Sequence, residues 1–330
     1  MNTTHILETR ERPLEAIREF LMSLWAETDL KGMLVPTYQA GTFQIQHQLL
    51  LAPEELVVLN PFVPFVPVNA AKAVTNIAAE YPDSHFGAVL RPCEARALFY
   101  NARFGFKNRH RWLFIGVDCL ASYPIQELEW RTRKAGGIEP LSMESIRFAR
   151  QGGIAPYRYR AACQMCLPYA PKYVDLNISL IGLPVRRLVL IEIKRKEVAD
   201  RLRIARFTSG KAPYELLAQR DATLSRLESQ HNSTRIRLMN SLPGELPASP
   251  DDLAAYLHKC APCQRCLEVC PIYAGELANN GRLAASPEAR RWLASCVMCG
   301  QCEQACPRHL ALTALHGRIS LELADPLKRA

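Results

Sequence analysis

CAPCQRCLEVCP at residues 260–271 and CVMCGQCEQACP at residues 296–307 are one pattern written twice, C-x2-C-x2-C-x3-C-P. The first run carries Cys260, Cys263, Cys266 and Cys270, the second Cys296, Cys299, Cys302 and Cys306. Three thiolates spaced three residues apart can grip three corners of a cubane from one loop. The fourth, followed by proline, is the position that reaches the other cluster in two-cluster ferredoxins. The spacing therefore predicts two [4Fe-4S] clusters, one on Cys260, Cys263, Cys266 and Cys306, the other on Cys296, Cys299, Cys302 and Cys270. Zinc knuckles also use C-x2-C pairs, but a zinc ion needs two such pairs and gains nothing from a third evenly spaced cysteine or a closing Cys-Pro.

Outward from the cysteines the repeat continues. SPDDLAAYLHKC at 249–260 and SPEARRWLASC at 286–296 both open on Ser-Pro and acidic residues and run through helix formers into the first cysteine. Serine at the N-cap, proline at the first helical position and carboxylates in the first turn make a helix start. The run after Pro307, RHLALTALHG, is helical in pattern as well. The expectation is an all-α two-cluster ferredoxin domain over 249–330, built as helix, cysteine run, helix, rather than on strands. With Cys-Pro-Ile-Tyr at 270–273, this stretch resembles the helical ferredoxin domains of heterodisulfide reductase C-type subunits and of lactate or glycolate oxidation iron-sulfur subunits. That resemblance implies an electron conduit. His258 and His309 flank the runs and read as structural, because eight cysteines already saturate two cubanes.

A chain of 330 residues, 48% hydrophobic and 22% charged, can bury a core and is long enough for two domains. The first residues carry Glu8, Glu11 and Glu15 and no secretory h-region, and no apolar segment reaches the length of a membrane helix. The expected location is the cytoplasm, with no membrane span, so the twelve cysteines should be ligands rather than disulfides. The net charge of +9 comes from Lys and Arg that are scattered, without a recognition helix or an aromatic RNA platform, so no nucleic-acid partner is expected. A basic surface suits an acidic carrier or partner subunit, and a plainly solvated surface would look the same.

Before the cysteine runs the pattern is that of an α/β domain over 1–220, joined through 221–248 and the proline-rich hinge LPGELPASP to the ferredoxin domain. A helix is expected over 13–24, with Leu14, Ile17, Leu21 and Leu24 on one stripe, then strands in GMLVPTY and FQIQHQLLL. Phe86 to Leu90 read as an apolar strand that ends on Cys93, helical composition follows from Glu94, and WLFIGVDC is a second apolar strand that ends on Cys119. Strand, helix, strand implies a parallel pair, and ligands bind beyond the carboxyl ends of such strands. A C-x2-C at Cys163 and Cys166 brings the thiols outside the ferredoxin region to four, enough for one further [4Fe-4S] cluster or one zinc. A strand is expected in RRLVLIEI, then polar helical sequence to about Leu242.

RPCEARAL, IGVDCLASY and CQMC followed by YVDLNISLIG together resemble the coenzyme F-420 hydrogenase/dehydrogenase beta-subunit family, over residues 60–190. That family includes beta subunits of F-420-reducing hydrogenases and of formate dehydrogenases. The resemblance implies that Cys93, Cys119, Cys163 and Cys166 hold a third [4Fe-4S] cluster next to a flavin, with Arg91, Glu94, Arg96 and Asp118 the nearest candidates to touch it and Asp175 a weaker one. The helix after Cys93 would offer N–H groups to a phosphate or to cluster sulfur. Each of these residues also has a plain structural reading, Glu94 as a first-turn acid and Arg96 as a surface residue. The chain lacks a Cys-Gly-Gly stretch in residues 1–50 and has no G-x-G-x-x-G fingerprint, which leaves FAD as the expected flavin ahead of the deazaflavin coenzyme.

No residue set for an oxidation is visible: no nickel-binding cysteine pairs and no molybdopterin-scale domain. The expectation is thus an electron-transfer beta subunit of a formate dehydrogenase-type complex, working between a catalytic redox subunit and a soluble electron carrier. The same subunit in a hydrogenase, heterodisulfide reductase-like or sulfite reductase complex is the alternative, and a self-contained flavin reductase is another.

Overall fold

The computed structural model describes residues 3–38, 45–103, 109–152, 158–166, 171–241, 263, 265–272 and 295–324. The expected hinge at 242–250, the helix at 249–260, Cys260, His258 and the body of the helix at 286–296 lie outside the described residues. The chain divides into two compact units, Met1–Tyr159 with Pro168–Ser229, and Arg160–Leu167 with Gln230–Ala330.

The first unit is built on a seven-stranded mixed sheet. Strand β1 (Thr4–Glu8) leads to helix α1 (Pro13–Ala26), which opens with Pro13 at its first position and buries Leu14, Ile17, Leu21 and Leu24 completely. The expected apolar stripe is the face that packs into the core with strand residues Met33, Val35 and Ile115. Strands β2 (Gly32–Tyr38) and β3 (Ile45–Leu50) pair antiparallel, and β3 alternates half-buried and exposed residues as an edge strand does. Helix α2 (Ala70–Glu80) is capped by the Asn69 side chain, which accepts from the Ala71 N–H at 3.0 Å.

Strand β4 (Phe86–Leu90), helix α3 (Pro92–Arg103) and strand β5 (Trp112–Val117) form the expected parallel unit, with Phe86 opposite Trp112 and Leu90 opposite Gly116. Every residue of both strands is buried, which is why the two read as unbroken apolar runs instead of alternating. Helices α4 (Ile125–Ala135) and α5 (Ile138–Arg147) follow, the first closed by Gly136 at φ 80°. After the single turn α6 (Ala161–Gln164), strands β6 (Leu176–Ser179) and β7 (Leu188–Ile193) complete the sheet in the order β1-β7-β6-β5-β4-β2-β3. The four central strands β2, β4, β5 and β6 are parallel, β3 and β7 run antiparallel beside them, and β1, antiparallel to β7, closes the far edge in the direction of the central strands. Helix α7 (Lys196–Leu202) precedes α8 (Tyr214–Asn240), whose last residues belong to the second unit.

Among its described residues the second unit shows helices and no strand: α6, the end of α8, α9 (Arg265–Glu268), α10 (Gln301–Ala305) and α11 (Leu312–Ala324). Its core is small. Leu267, Cys306, Leu312, Leu315 and Ile319 are buried together, with Cys266, Cys270, Ile272, Cys302 and Leu310 packed against them.

Candidate iron-sulfur site

The second cysteine run begins in a loop that enters the left-handed region twice, at Met298 (φ 52°) and Gly300 (φ 73°). A β-carbon on Gly300 would overlap the β-carbon of Ala162, so conformation and contact both require glycine there. Inside this loop the Met298 N–H donates to Cys296 Sγ at 3.4 Å. Helix α10 then carries Cys302 and stops at Cys306, whose backbone is extended (φ −73°, ψ 114°) as the residue before proline is expected to be. From the first run, the short helix α9 ends just before Cys270, whose N–H donates to the Leu267 carbonyl at 3.1 Å.

Cys270, Cys296, Cys299 and Cys302 line one pocket, shared with Pro271, Ile272, Val297, Met298, Gly300, Thr313 and His316. Three of these thiols come from the second run and one from the first, the grouping that crossed ligation requires. Burial, and then the charges of Cys296, Cys299 and Cys270, push the Cys302 thiol well above its ordinary pKa. Four thiolates in so dry a space repel one another, so the set suits a cationic centre that takes up their charge and displaces their protons. Among the described residues no three His, Cys, Asp or Glu side chains converge as tightly as a single metal ion needs; the four thiols surround a space. His316 is buried on the pocket wall, where burial lowers its imidazole pKa to about 4 and keeps it neutral.

The fit of a sulfur-rich centre can be judged on Thr313, the second residue of α11. Its N–H donates to Glu303 Oε2 at 2.8 Å, and its side chain is 1% exposed. Among the described residues its hydroxyl has no hydrogen-bond partner, although it sits on the wall of the thiol pocket. An orphaned buried donor on a residue that lines the same pocket as four thiols fits a group with acceptor sulfur in that space.

Of the other proposed ligand set, Cys306 is buried and Cys266 packs against the same apolar cluster, while Cys263 is exposed and Cys260 lies outside the described residues. His309 is exposed at φ 52°, its N–H donating to the Cys306 carbonyl, and so closes the turn after Cys-Pro.

The C-x2-C of Cys163 and Cys166 falls in the second unit and not in the α/β unit. It forms one helical turn, with the Cys163 N–H donating to the Arg160 carbonyl at 2.8 Å and the Cys166 N–H to the Cys163 carbonyl at 3.4 Å. Arg160 donates to Cys163 Sγ at 3.7 Å and to Gln304 Oε1 at 2.6 Å, and His231 Nδ1 pairs with the Cys166 carbonyl at 3.1 Å.

Cys93 and Cys119 belong to the first unit, beyond the carboxyl ends of the adjacent parallel strands β4 and β5. Strand β4 stops at Leu90, and Cys93 lies in the first turn of α3 instead of ending the strand, because Pro92 starts the helix. Glu94 makes its half of a capping box, accepting from the Arg91 N–H at 2.8 Å, while its own N–H donates to the Arg91 backbone carbonyl because an arginine side chain cannot accept. Glu94 also pairs with His47 Nε2 at 3.0 Å and accepts from the Ala70 N–H at 3.2 Å. Burial alone would raise its pKa, yet His47 and Arg91 bring it below the ordinary carboxylate value. The Arg91 guanidinium donates to the carbonyls of Val63 and Phe65 at 2.6 and 3.0 Å.

Asp118 accepts two bonds from Arg220, one from Asn177 and one each from the Leu180 and Ile181 N–H groups. Asp175 binds Arg109, Arg195 and the Phe114 N–H. The polar atoms of Arg91, Glu94, Asp118 and Asp175 are thus engaged in building the sheet edge, and Arg96 is half-buried on α3. Sequence reasoning missed Arg220 and Glu192, which join Asp118 in one buried network, because nothing in the spacing of α8 marks one arginine among several as buried. It also missed Thr313 and His316, whose only signal was their three-residue spacing on a helix that follows a Cys-Pro.

Residues 259–311 match the family model of the 4Fe-4S dicluster domain, which supports two [4Fe-4S] clusters and electron transfer as their business. No curated protein matches the chain. Among solved structures, a chain of the F420-reducing [NiFe] hydrogenase complex from Methanosarcina barkeri, studied by xenon derivatization, is similar in fold, with a TM-score of 0.51 and 10% identity over 73% of this chain and 92% of that one. At that identity the likeness is one of fold. No helix among the described residues is long and apolar enough to cross a membrane.

Proposed function

We propose that this chain is an electron-transfer subunit of a multi-subunit redox complex, with two [4Fe-4S] clusters in its C-terminal region and the substrate chemistry on a partner chain. The observation that carries the reading is the pocket formed by Cys270 from one cysteine run and Cys296, Cys299 and Cys302 from the other. Bound clusters supply one-electron storage. The chain's own residues supply the thiolates, a dry apolar wall from Ile272, Val297 and Met298, and a loop held in shape by Gly300.

The finer reading is a beta subunit of the formate dehydrogenase type, and it rests on the sequence resemblance of residues 60–190. The fold likeness to a chain of a hydrogenase complex favours a hydrogenase-type partner as the second reading. A third cluster on Cys93, Cys119, Cys163 and Cys166, and FAD beside it, rest on the resemblance alone, as does action in the cytoplasm with a soluble carrier.

Iron, acid-labile sulfide and flavin per chain after anaerobic purification test this directly. About eight irons are expected for two cubanes and about twelve for three. Cys302→Ala should lose about four of them, and Cys166→Ala should lose a further set only if the third cluster exists. Zinc in place of iron would overturn the reading. Co-purification of the tagged chain with a subunit that oxidises formate, or one that oxidises hydrogen, separates the two partner readings.

A further inference from the structure

We propose that the Thr313 hydroxyl donates a hydrogen bond to a sulfur of the cluster held by Cys270, Cys296, Cys299 and Cys302, and thereby sets that cluster's reduction potential above the value the thiolates alone would give. This deepens the electron-transfer reading and rests on it.

A threonine hydroxyl inside a helix ordinarily returns its bond to a carbonyl in the preceding turn. Thr313 stands second in α11, where no preceding helical turn exists, so that partner is missing. Neither does its hydroxyl cap the helix, since Thr313 stands inside the first turn and not before it, where Glu303 Oε2 accepts the Thr313 N–H at 2.8 Å. The result is a hydroxyl 1% exposed and, among the described residues, without a partner. Leaving a buried hydroxyl unpaired carries a desolvation cost that a valine of the same shape would avoid. Thr313 lines the pocket that the four thiols line, and its hydroxyl would lie 3.5 Å from a β-carbon built on Gly300, within the second cysteine run. Thiolate and sulfide sulfur are the acceptors that such a pocket holds when loaded.

A donor to cluster sulfur stabilises the more negative, reduced state more than the oxidised one, so it raises the potential, and its removal lowers it. No proton or ligand is exchanged. The effect is a difference in electrostatic stabilisation between two charge states.

The experiment is an EPR-monitored redox titration of the anaerobically purified full chain and its Thr313→Val and Thr313→Ser variants, with iron counted in each. Thr313→Val keeps the shape and removes the donor; Thr313→Ser keeps the donor. The expected result is that Thr313→Val shifts one reductive wave to lower potential and leaves the other in place, with the reduced-to-oxidised ratio at fixed potential falling about tenfold, ~59 mV for a one-electron couple. Thr313→Ser should return that wave towards the wild-type position. An unshifted wave in Thr313→Val, or a shift in Thr313→Ser as large as in Thr313→Val, overturns the proposal. If Thr313→Val loses iron, Thr313→Ala is compared with Thr313→Ser by the same criterion. Absence of two clusters from the wild-type chain would instead refute the electron-transfer reading, so the two failures are distinguishable.

Discussion

Cys302 must be buried enough to exclude water from its pocket and yet give up its proton, and the protein by itself opposes the second demand. Burial and the neighbouring thiols raise its pKa, so ionisation has to be coupled to loading. Gly300 carries a different constraint, a left-handed backbone with the Ala162 side chain against it. Gly300→Ala would add roughly 1–2 kcal/mol of backbone strain and force the Cys163–Cys166 turn to move. The expected outcome is a loss of iron on the order of one cluster per chain, read by iron analysis after anaerobic purification; full iron content would show that the loop tolerates the shift. The dicluster character of the C-terminal region was legible because cysteine spacing reports directly on which thiolates one loop can present. Thr313 and His316 were not, because a threonine and a histidine in a helical stretch have many ordinary uses.

The elements around the sheet are tied by one buried network that crosses four of them. Arg220 on α8 donates to both carboxylate oxygens of Asp118 after β5 at 2.6 and 3.0 Å and to Glu192 on β7 at 2.8 Å, while Asn177 and Ser179 of β6 fill the remaining positions. Burial works against charge at Glu192, yet Arg220 and Lys194 outweigh it and hold its pKa at about 2. Burial likewise disfavours the charged Arg220, and Asp118 and Glu192 reverse that and raise its pKa. Arg220→Met leaves the buried Asp118 carboxylate without its cation and Glu192 with Lys194 alone, and the expected destabilisation is about 3–5 kcal/mol. Denaturant unfolding followed by tryptophan fluorescence reads it, since Trp112 lies in β5 of the same sheet. A shift under about 1 kcal/mol would mean that solvent reaches the pair and screens it. Helix α1 was legible from its apolar stripe and strands β4 and β5 from their unbroken apolar runs, because one face of the helix and both faces of the strands are buried. The network was not, since it joins side chains up to 102 positions apart in sequence.

Across the whole molecule the excess of nine positive charges is the property that any partner meets first. Association with any acidic partner should slow as salt rises, because exposed charges are screened beyond about 10 Å at 0.1 M ionic strength. Stopped-flow reduction measured at rising salt would show this, and a rate indifferent to salt would remove steering from the account. The sequence by itself determined that the C-terminal region presents eight thiolates in two runs, that a parallel strand-helix-strand unit precedes it, and that Cys93 and Cys119 leave that unit at the carboxyl ends of neighbouring strands. These follow from local rules, since spacing fixes which thiolates one loop can present and strand order fixes the edge at which residues emerge. Only the tertiary structure decided that the Cys163–Cys166 turn belongs to the second compact unit, that Arg91, Glu94 and Asp118 are bonded at the carboxyl ends of the central strands, and that Thr313, with its buried unpaired hydroxyl, lines one pocket with four thiols from two separate runs. Those outcomes depend on contacts between segments far apart in the chain, where packing and hydrogen-bond satisfaction choose among arrangements that local pattern leaves equal.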